Sequence, residues 1–477
     1  MNIRALMPKR TRTIVISVAA IVLVWLVVSR SLVAYLAGSA PAAALWLDSR
    51  QPEALVNVAD QALNAAATSA VDAAPISPPS DRAGDSGQYL PDSASQNAKN
   101  IDRAFAQFEK VGRNQSVNRP VPLSDETVVR GWAITALTSD PLNAPALRIL
   151  GQLAEADNDD VQAARFMQAA SRLSKHENIA AFWLLRDSAK AGHYKDAVYF
   201  ADILLRADPQ TDRFVVPVLG QISEDKEGAA LLKGALADDP PWRAQFIADF
   251  PSTVPDVRTP LDILLSLRTN PVPLKPDEIG PYLDFLVAYK FYGLAYYTWL
   301  QFLPPDALRH ASLLFNGNFD DELSGLPFDW KITPGAGVTI DIVQRPDKIG
   351  QNALLVDFQF GRVDYHSVTE LVVLPPGTYQ FNGEYKGALV GPRGMVWRVV
   401  CANGTVTNGG ESPAIIGATP NWQNVSFTFT VPAKDCPAQY VRLDLDARMA
   451  SEHLITGSVL FDDLQISRVA NPPMSGG

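Results

Sequence analysis

The sequence predicts a multidomain α + β chain with an N-terminal transmembrane helix, an α-helical repeat solenoid and a C-terminal antiparallel β-sandwich. Three observations carry this reading. A long apolar run follows a basic start. Apolar residues then recur with helical period over residues 101–308, and positions correspond at a spacing of 34. Near Leu313 the period changes from that of a helix to that of a strand.

Composition sets outer limits. Of 477 residues, 47% are hydrophobic and 19% charged, enough apolar material for a sizeable core and too many charges for a multi-span membrane protein. The net charge is −10 and no long basic block is present, which excludes a phosphate backbone as a natural partner, so no nucleic acid is expected. Two cysteines exclude both a disulfide-rich scaffold and a four-cysteine zinc site.

Residues 1–12 hold Arg4, Lys9, Arg10 and Arg12 and no acid, and read as a cytoplasmic tail. The run Ile14–Val28 is apolar apart from Ser17. As a helix it rises about 22 Å, short of a hydrocarbon core of about 30 Å. Continued to Ala37, it reaches about 36 Å. Residues 13–37 are therefore expected to span, with Arg30 reaching for the far interface and Trp25 and Tyr35 as interfacial anchors. The positive charge before the run puts residues 38–477 outside the cytoplasm. A cleaved signal peptide ending near Ala37–Ala40 is the alternative, although Arg30 and Leu32–Leu36 separate its apolar core from that cleavage site.

Residues 38–73 read as a helical juxtamembrane segment, with Ala44, Leu45, Val56, Ala59 and Leu63 at helical spacing. Residues 74–100 are rich in Pro, Ser, Asp and Gly and read as a flexible linker. Residues 101–310 read as the solenoid. Adding 34 takes Ala163 to Ala197 and Ala170 to Leu204, and subtracting 34 takes Ala170 to Ala136. Pro141 and Pro209 lie two such periods apart. Small residues at these positions are what two closely crossing helices require. The pattern resembles the tetratricopeptide repeat, most clearly over residues 124–210. That resemblance implies a concave surface for a protein partner. Another kind of helical solenoid is the alternative and leaves the fold class unchanged.

Seven alternating or apolar runs follow: 354–360, 368–374, 379–385, 395–401, 425–431, 441–445 and 459–466, separated by turns such as Pro375-Pro376-Gly377 and Asn408-Gly409-Gly410. Residues 311–470 are thus expected to form the sandwich, with 471–477 a tail. Their motifs run in the order Asn316-Gly317-Asn318-Phe319, Pro327-Phe328-Asp329-Trp330, Pro376-Gly377-Thr378-Tyr379 and Gly457–Leu464. This resembles the galactose-binding-like jelly roll of many carbohydrate-binding modules. The resemblance implies a structural calcium held by Asn316, Asp320, Asp321, Asp462 and Asp463, against the alternative of solvated turn acids. No other cofactor is expected.

Cys401 and Cys436 both fall in this region, in an oxidising compartment, and are expected to form a disulfide. Trp330 and Trp422 are assigned to the core. Alternation leaves Gln380, Asn382 and Glu384 outward on one strand and Arg442, Asp444 and Asp446 outward on another. If the two strands share a sheet, these groups and Arg398 converge on one surface able to hydrogen-bond sugar hydroxyls, with Trp397 or Tyr365 as a stacking plane. An ordinary solvated sheet face with cross-strand ion pairs is the alternative.

None of the five histidines has metal-ligand spacing with another, and no phosphate loop, nucleophile elbow or zinc-protease helix is present. An enzyme is therefore not expected. The layout resembles Gram-negative envelope proteins with tetratricopeptide repeats, some linked with surface polysaccharide production. It implies a single-pass inner-membrane adaptor with its body in the periplasm, binding a protein through the helices and a glycan through the sandwich. A scaffold without a glycan ligand is the alternative. A glycan-active enzyme would need acids brought together from distant strands.

Overall fold

A computed structural model describes residues 9–70, 126–270, 272–359 and 361–469. Most of the cytoplasmic tail, the linker over 74–100, the solenoid's first stretch to 125 and the tail over 471–477 lie outside the described residues. The chain divides into two compact units, Met1–Pro255 and Asp256–Gly477.

The first unit is helical. Helix α1 (Lys9–Ser39) contains the stretch Ser17–Ser39, 23 residues long and apolar enough to cross a membrane. One non-helical residue, Ala40, separates it from α2 (Pro41–Leu47), and α3 (Pro52–Ala70) follows. Three alanines, Ala37, Ala44 and Ala54, are buried where these helices meet. The Asn57 side chain donates to the Ala37 carbonyl at 2.8 Å, satisfying an acceptor at the end of α1.

Next come α4 (Glu126–Ser139), α5 (Ala144–Ala156), α6 (Asp160–Leu173), α7 (Asn178–Lys190) and α8 (Tyr194–Ala207). All four boundaries of the α5–α6 pair recur 34 residues later in α7–α8. The turn within each pair uses a left-handed residue at the matching place, Asn158 (φ 59°) and Gly192 (φ 74°). Asn and Gly are the residues that adopt this conformation at least cost. The expected correspondences Ala163–Ala197 and Ala170–Leu204 are all buried. Helices α9 (Asp212–Ile222), α10 (Lys226–Ala237) and α11 (Arg243–Asp249) follow and are shorter.

The expected juxtamembrane segment is not a separate piece. Leu55, Val56, Ala59 and Ala62 of α3 share one core with α4 and α5. The buried Arg148 of α5 forks onto Asp60 of α3 at 2.9 and 2.7 Å and reaches Glu177 at 3.1 Å.

In the second unit α12 (Thr259–Arg268), α13 (Pro276–Ala288), α14 (Tyr292–Phe302) and α15 (Pro305–His310) precede the strands. Trp299 packs on Phe315 at 5.0 Å and on Phe328 at 5.7 Å, so α14 belongs with the strands rather than with the solenoid. The division of the compact units at 255 falls earlier in the chain than the boundary expected near 310.

The strands are β1 (Val338–Gln344), β2 (Asn352–Phe358), β3 (Val368–Val372), β4 (Gly377–Val390), β5 (Met395–Cys401), β6 (Val406–Glu411), β7 (Gly417–Val431), β8 (Gln439–Leu445) and β9 (Thr456–Arg468). Their order is β1-β2-β9-β4-β7-β6-β5-β8-β3, all antiparallel. One layer is β1-β2-β9-β4-β7 and the other is β5-β8-β3, and β6 pairs with both layers, making a single curled sheet. Strand β6 was expected to be a turn. Its glycines serve close approach: a Cβ on Gly409 would meet the Thr428 carbonyl at 2.5 Å, and one on Gly410 the Val399 carbonyl at 2.7 Å.

Inward residues of the two layers meet around Trp397, which lies 5.7 Å from Trp330, 5.5 Å from Phe381 and 5.4 Å from Phe461. Trp330 is in the core, as expected. The expected disulfide joins Cys401 to Cys436, with Cα atoms 5.1 Å apart and a sequence separation of 35. A loop of that length corresponds to about 3–4 kcal/mol on the chain-entropy model.

Glu370 of β3 points inward and is 2% exposed. One oxygen accepts the Phe315 amide at 2.7 Å, and the other has no partner among the described residues. Burial, helped by the neighbouring Asp329 carboxylate, pushes its carboxyl well above the ordinary 4.5. A raised folded-state pKa contributes stability below about pH 4.5 that is lost as pH rises through the folded value. Glu370→Gln keeps the accepting oxygen and removes the titration. It is expected to raise stability at neutral pH by about 1–3 kcal/mol and leave it unchanged in acid. Hydrogen exchange of β3 amides against pH reads this directly.

Candidate functional site

The alternation of β4 sends Tyr379 and Phe381 into the core and leaves Gln380, Asn382 and Glu384 on the outer face. They lie opposite Thr428, Ser426 and Asn424 of β7. Thr428 Oγ1 donates to Gln380 Oε1 at 2.6 Å, Gln380 Nε2 donates to Ser426 Oγ, and Ser426 Oγ donates to Asn382 Oδ1 at 2.8 Å. The result is a cross-strand ladder of amides and hydroxyls.

One end of the ladder is occupied by a cation on an aromatic ring. Trp422, two residues before Asn424, shares the outward parity of β7. The Arg345 guanidinium lies 3.8 Å from its ring centroid. Arg345 follows β1 and is 3% exposed. It donates to Asp347 at 3.0 Å, to Glu384 at 3.1 Å and, through Nη1, to Asp462 of β9. Asp463 lies 3.6 Å from Arg345 and 3.4 Å from Lys348. The guanidinium holds the Asp347 carboxyl down at about 2. Burial pushes Asp462 upward against the pull of Arg345.

Four carboxylates thus surround one arginine and one lysine, which leaves the site net negative. The carboxylates retain acceptor capacity for hydroxyl donors, whereas the arginine's donors are engaged. Glu384 and Asp462, opposite one another on β4 and β9, are acids brought together from distant strands. Both are tied to the same guanidinium, and Asp462 is 1% exposed.

The second predicted set is elsewhere. Arg398 of β5 pairs with Asp444 at 3.3 Å, Asp446 at 2.6 Å and Glu411 at 2.8 Å, and Arg442 with Asp444 at 3.0 Å. These residues share a face and pair with one another, three acids around two arginines. They do not join Gln380, Asn382 and Glu384, because β4 and β8 lie in opposite layers whose inward sides meet at Trp397, so their outward sides diverge. Trp397 is fully enclosed and presents no ring face to solvent. Tyr365 is half-buried: its hydroxyl donates to the Leu443 carbonyl at 2.9 Å and its ring lies 5.7 Å from Phe358.

Four of the five calcium candidates have side-chain partners, and Asp321 is met through its backbone. Asn316 exchanges two hydrogen bonds with the Asp321 backbone, and Asp320 accepts from Asn352 and Asn318. Asp462 and Asp463 face Arg345. Among the described residues, no group of three or more His, Cys, Asp or Glu is placed to hold a metal ion.

Sequence reading missed Arg345 and Asp347 and assigned Trp422 to the core. Starting β7 at Val425 hid the signal. Extended three residues back, the strand puts Trp422 in register with Asn424, Ser426 and Thr428 on the polar side. A concavity of about 400 Å³, lined by Tyr296, Tyr297, Pro375 and Pro432 among others, shares no residue with this face.

No protein-family model matches the chain, and no curated protein matches it. Solved structures similar to the C-terminal sandwich include carbohydrate-binding modules. One is CBM4, 18% identical over 33% of this chain and 99% of that one, with a TM-score of 0.25. Another is TmCBM61 in complex with beta-1,4-galactotriose, 16% identical over 33% and 99%, with a TM-score of 0.23. A third is the CBM22-1 xylan-binding domain from Paenibacillus barcinonensis Xyn10C, 18% identical over 30% and 87%, with a TM-score of 0.21.

Proposed function

We propose that this chain is a membrane-tethered, non-catalytic adaptor whose β-sandwich binds a neutral glycan on the outer face of β4, β7 and β9. The observation that carries the reading is Trp422, braced by Arg345 at one end of the Gln380–Asn382–Ser426–Thr428 ladder. An indole beside amides, hydroxyls and carboxylate acceptors offers a sugar both a stacking plane and partners for its hydroxyls. The net negative surround favours neutral over acidic sugars.

The helical pairs would dock a protein partner, a role supported by the 34-residue recurrence expected of a tetratricopeptide-like solenoid. An uncleaved anchor is supported by the buried contact of Ala37 with Ala44 and Ala54, which cleavage near Ala37–Ala40 would remove. The disulfide supports an oxidising compartment for the sandwich, and the bacterial periplasm is the one we favour, with a role in surface polysaccharide production or export.

Calorimetric titration of the full chain in nanodiscs with neutral and acidic oligosaccharides tests the glycan reading. Neutral oligosaccharides should bind without being cleaved, and Trp422→Ala should weaken them about tenfold. No binding to any glycan, with a protein captured instead, would leave the chain a scaffold.

A further inference from the structure

Helix α2 reads Pro-Ala-Ala-Ala-Leu-Trp-Leu and has no charged side chain. Its inner side is spoken for. Ala44 is buried against α1 and α3, and Leu45 packs into the cores on both sides. Its outer side is not: Trp46 is 86% exposed and Leu47 is 48% exposed. In water an indole this exposed leaves its apolar body unburied; at a bilayer surface its apolar body and its N–H both find partners.

What lies beside it is the apolar helix α1. The span candidate ends at Ser39, two residues before α2 begins, and Tyr35, in its last turns, is also exposed. Packing of Ala37 on Ala44, and the Asn57 hydrogen bond to the Ala37 carbonyl, fix α2 to the end of that helix. Trp46 is thereby held where the span leaves the hydrocarbon, and the exposed Arg50 follows with a cation suited to lipid phosphates.

We propose that α2 lies in the lipid interface, with Trp46 and Leu47 at the headgroup–acyl boundary, as a second membrane contact beside the span. The proposal rests on the reading of α1 as an uncleaved anchor. It makes the start of the solenoid a part seated on the membrane rather than one hanging from it.

The test uses the full chain in vesicles of phosphatidylcholine and phosphatidylglycerol, with Trp46→Cys, Leu23→Cys or Leu142→Cys carrying an environment-sensitive fluorophore. The native cysteines are bonded to each other and do not compete. Leu142, 71% exposed between α4 and α5, is the aqueous control. A lipid nitroxide just below the headgroups should quench the label at position 46 about twofold more than the label at 142. Equal quenching at 46 and 142 by aqueous iodide would overturn the proposal. Shielding of 46 from both iodide and lipid nitroxide would overturn it too, in favour of a protein contact. If a nitroxide at the bilayer centre leaves the label at position 23 unquenched, the anchor reading itself fails and the proposal with it.

Discussion

Arg345→Ala is expected to destabilise the β-sandwich by about 3 kcal/mol, because it leaves the enclosed Asp462 carboxylate without its counter-ion. Local opening of β4 and β9 would then speed amide exchange there about a hundredfold, since each 1.4 kcal/mol is about a factor of ten. The effect should be specific in three ways. Arg345→Lys keeps the charge but cannot reach Asp347, Glu384 and Asp462 together, so its loss should be intermediate. Adding Asp462→Asn to Arg345→Ala should recover part of the stability, because the orphaned charge goes. The acid limb should also change. Asp347 is held near 2 against an ordinary 3.8, so its contribution is complete above about 3.8 and lost as pH falls toward 2. Without Arg345 that limb should disappear. Exchange rates in β4 and β9 unaltered by Arg345→Ala would show that this cluster is not what secures the outer face.

The second large effect belongs to Trp397→Ala, expected to cost about 3–5 kcal/mol as a cavity opens among Trp330, Phe381 and Phe461. The sequence alone allowed Trp397 to be a stacking plane for a sugar, and the two roles predict different outcomes. A surface platform lost to alanine weakens binding and leaves unfolding unchanged. A core residue lost to alanine accelerates exchange throughout β4, β5 and β9. Trp397→Phe should cost much less, because the indole N–H has no partner among the described residues and its removal relieves an unsatisfied donor. Peptide-resolved hydrogen exchange in the full chain, set beside glycan titration of the same variants, separates the cases.

The sequence carried much of this architecture because periodicity is a local signal. Met395–Cys401 is an almost unbroken apolar run and was placed with its observed ends, and the 34-residue correspondence of Ala163 with Ala197 emerged from spacing alone. The pairing of Cys401 with Cys436 needed only their count and compartment. What did not emerge depends on which layer a strand joins. Nothing in Val441–Leu445 or Tyr379–Tyr385 says that β8 and β4 face each other across a core, so the two outward sets were combined on one surface. Arg345 was invisible for the same reason: its partners Glu384 and Asp462 are far along the chain and meet it only after β1, β2, β9 and β4 assemble. Asn408-Gly409-Gly410 looked like a turn because glycine pairs usually mark one. Here they let β6 press against neighbours on both sides.

Strand β9 lies between β2 and β4, although it is the last of the nine in chain order. A nascent polypeptide therefore holds β2 and β4 with their shared gap unfilled, and no subset of the earlier strands can close that layer. Completion must wait for residues 456–468 to clear the ribosome, and a product interrupted before them keeps two open hydrogen-bonding edges exposed to proteases.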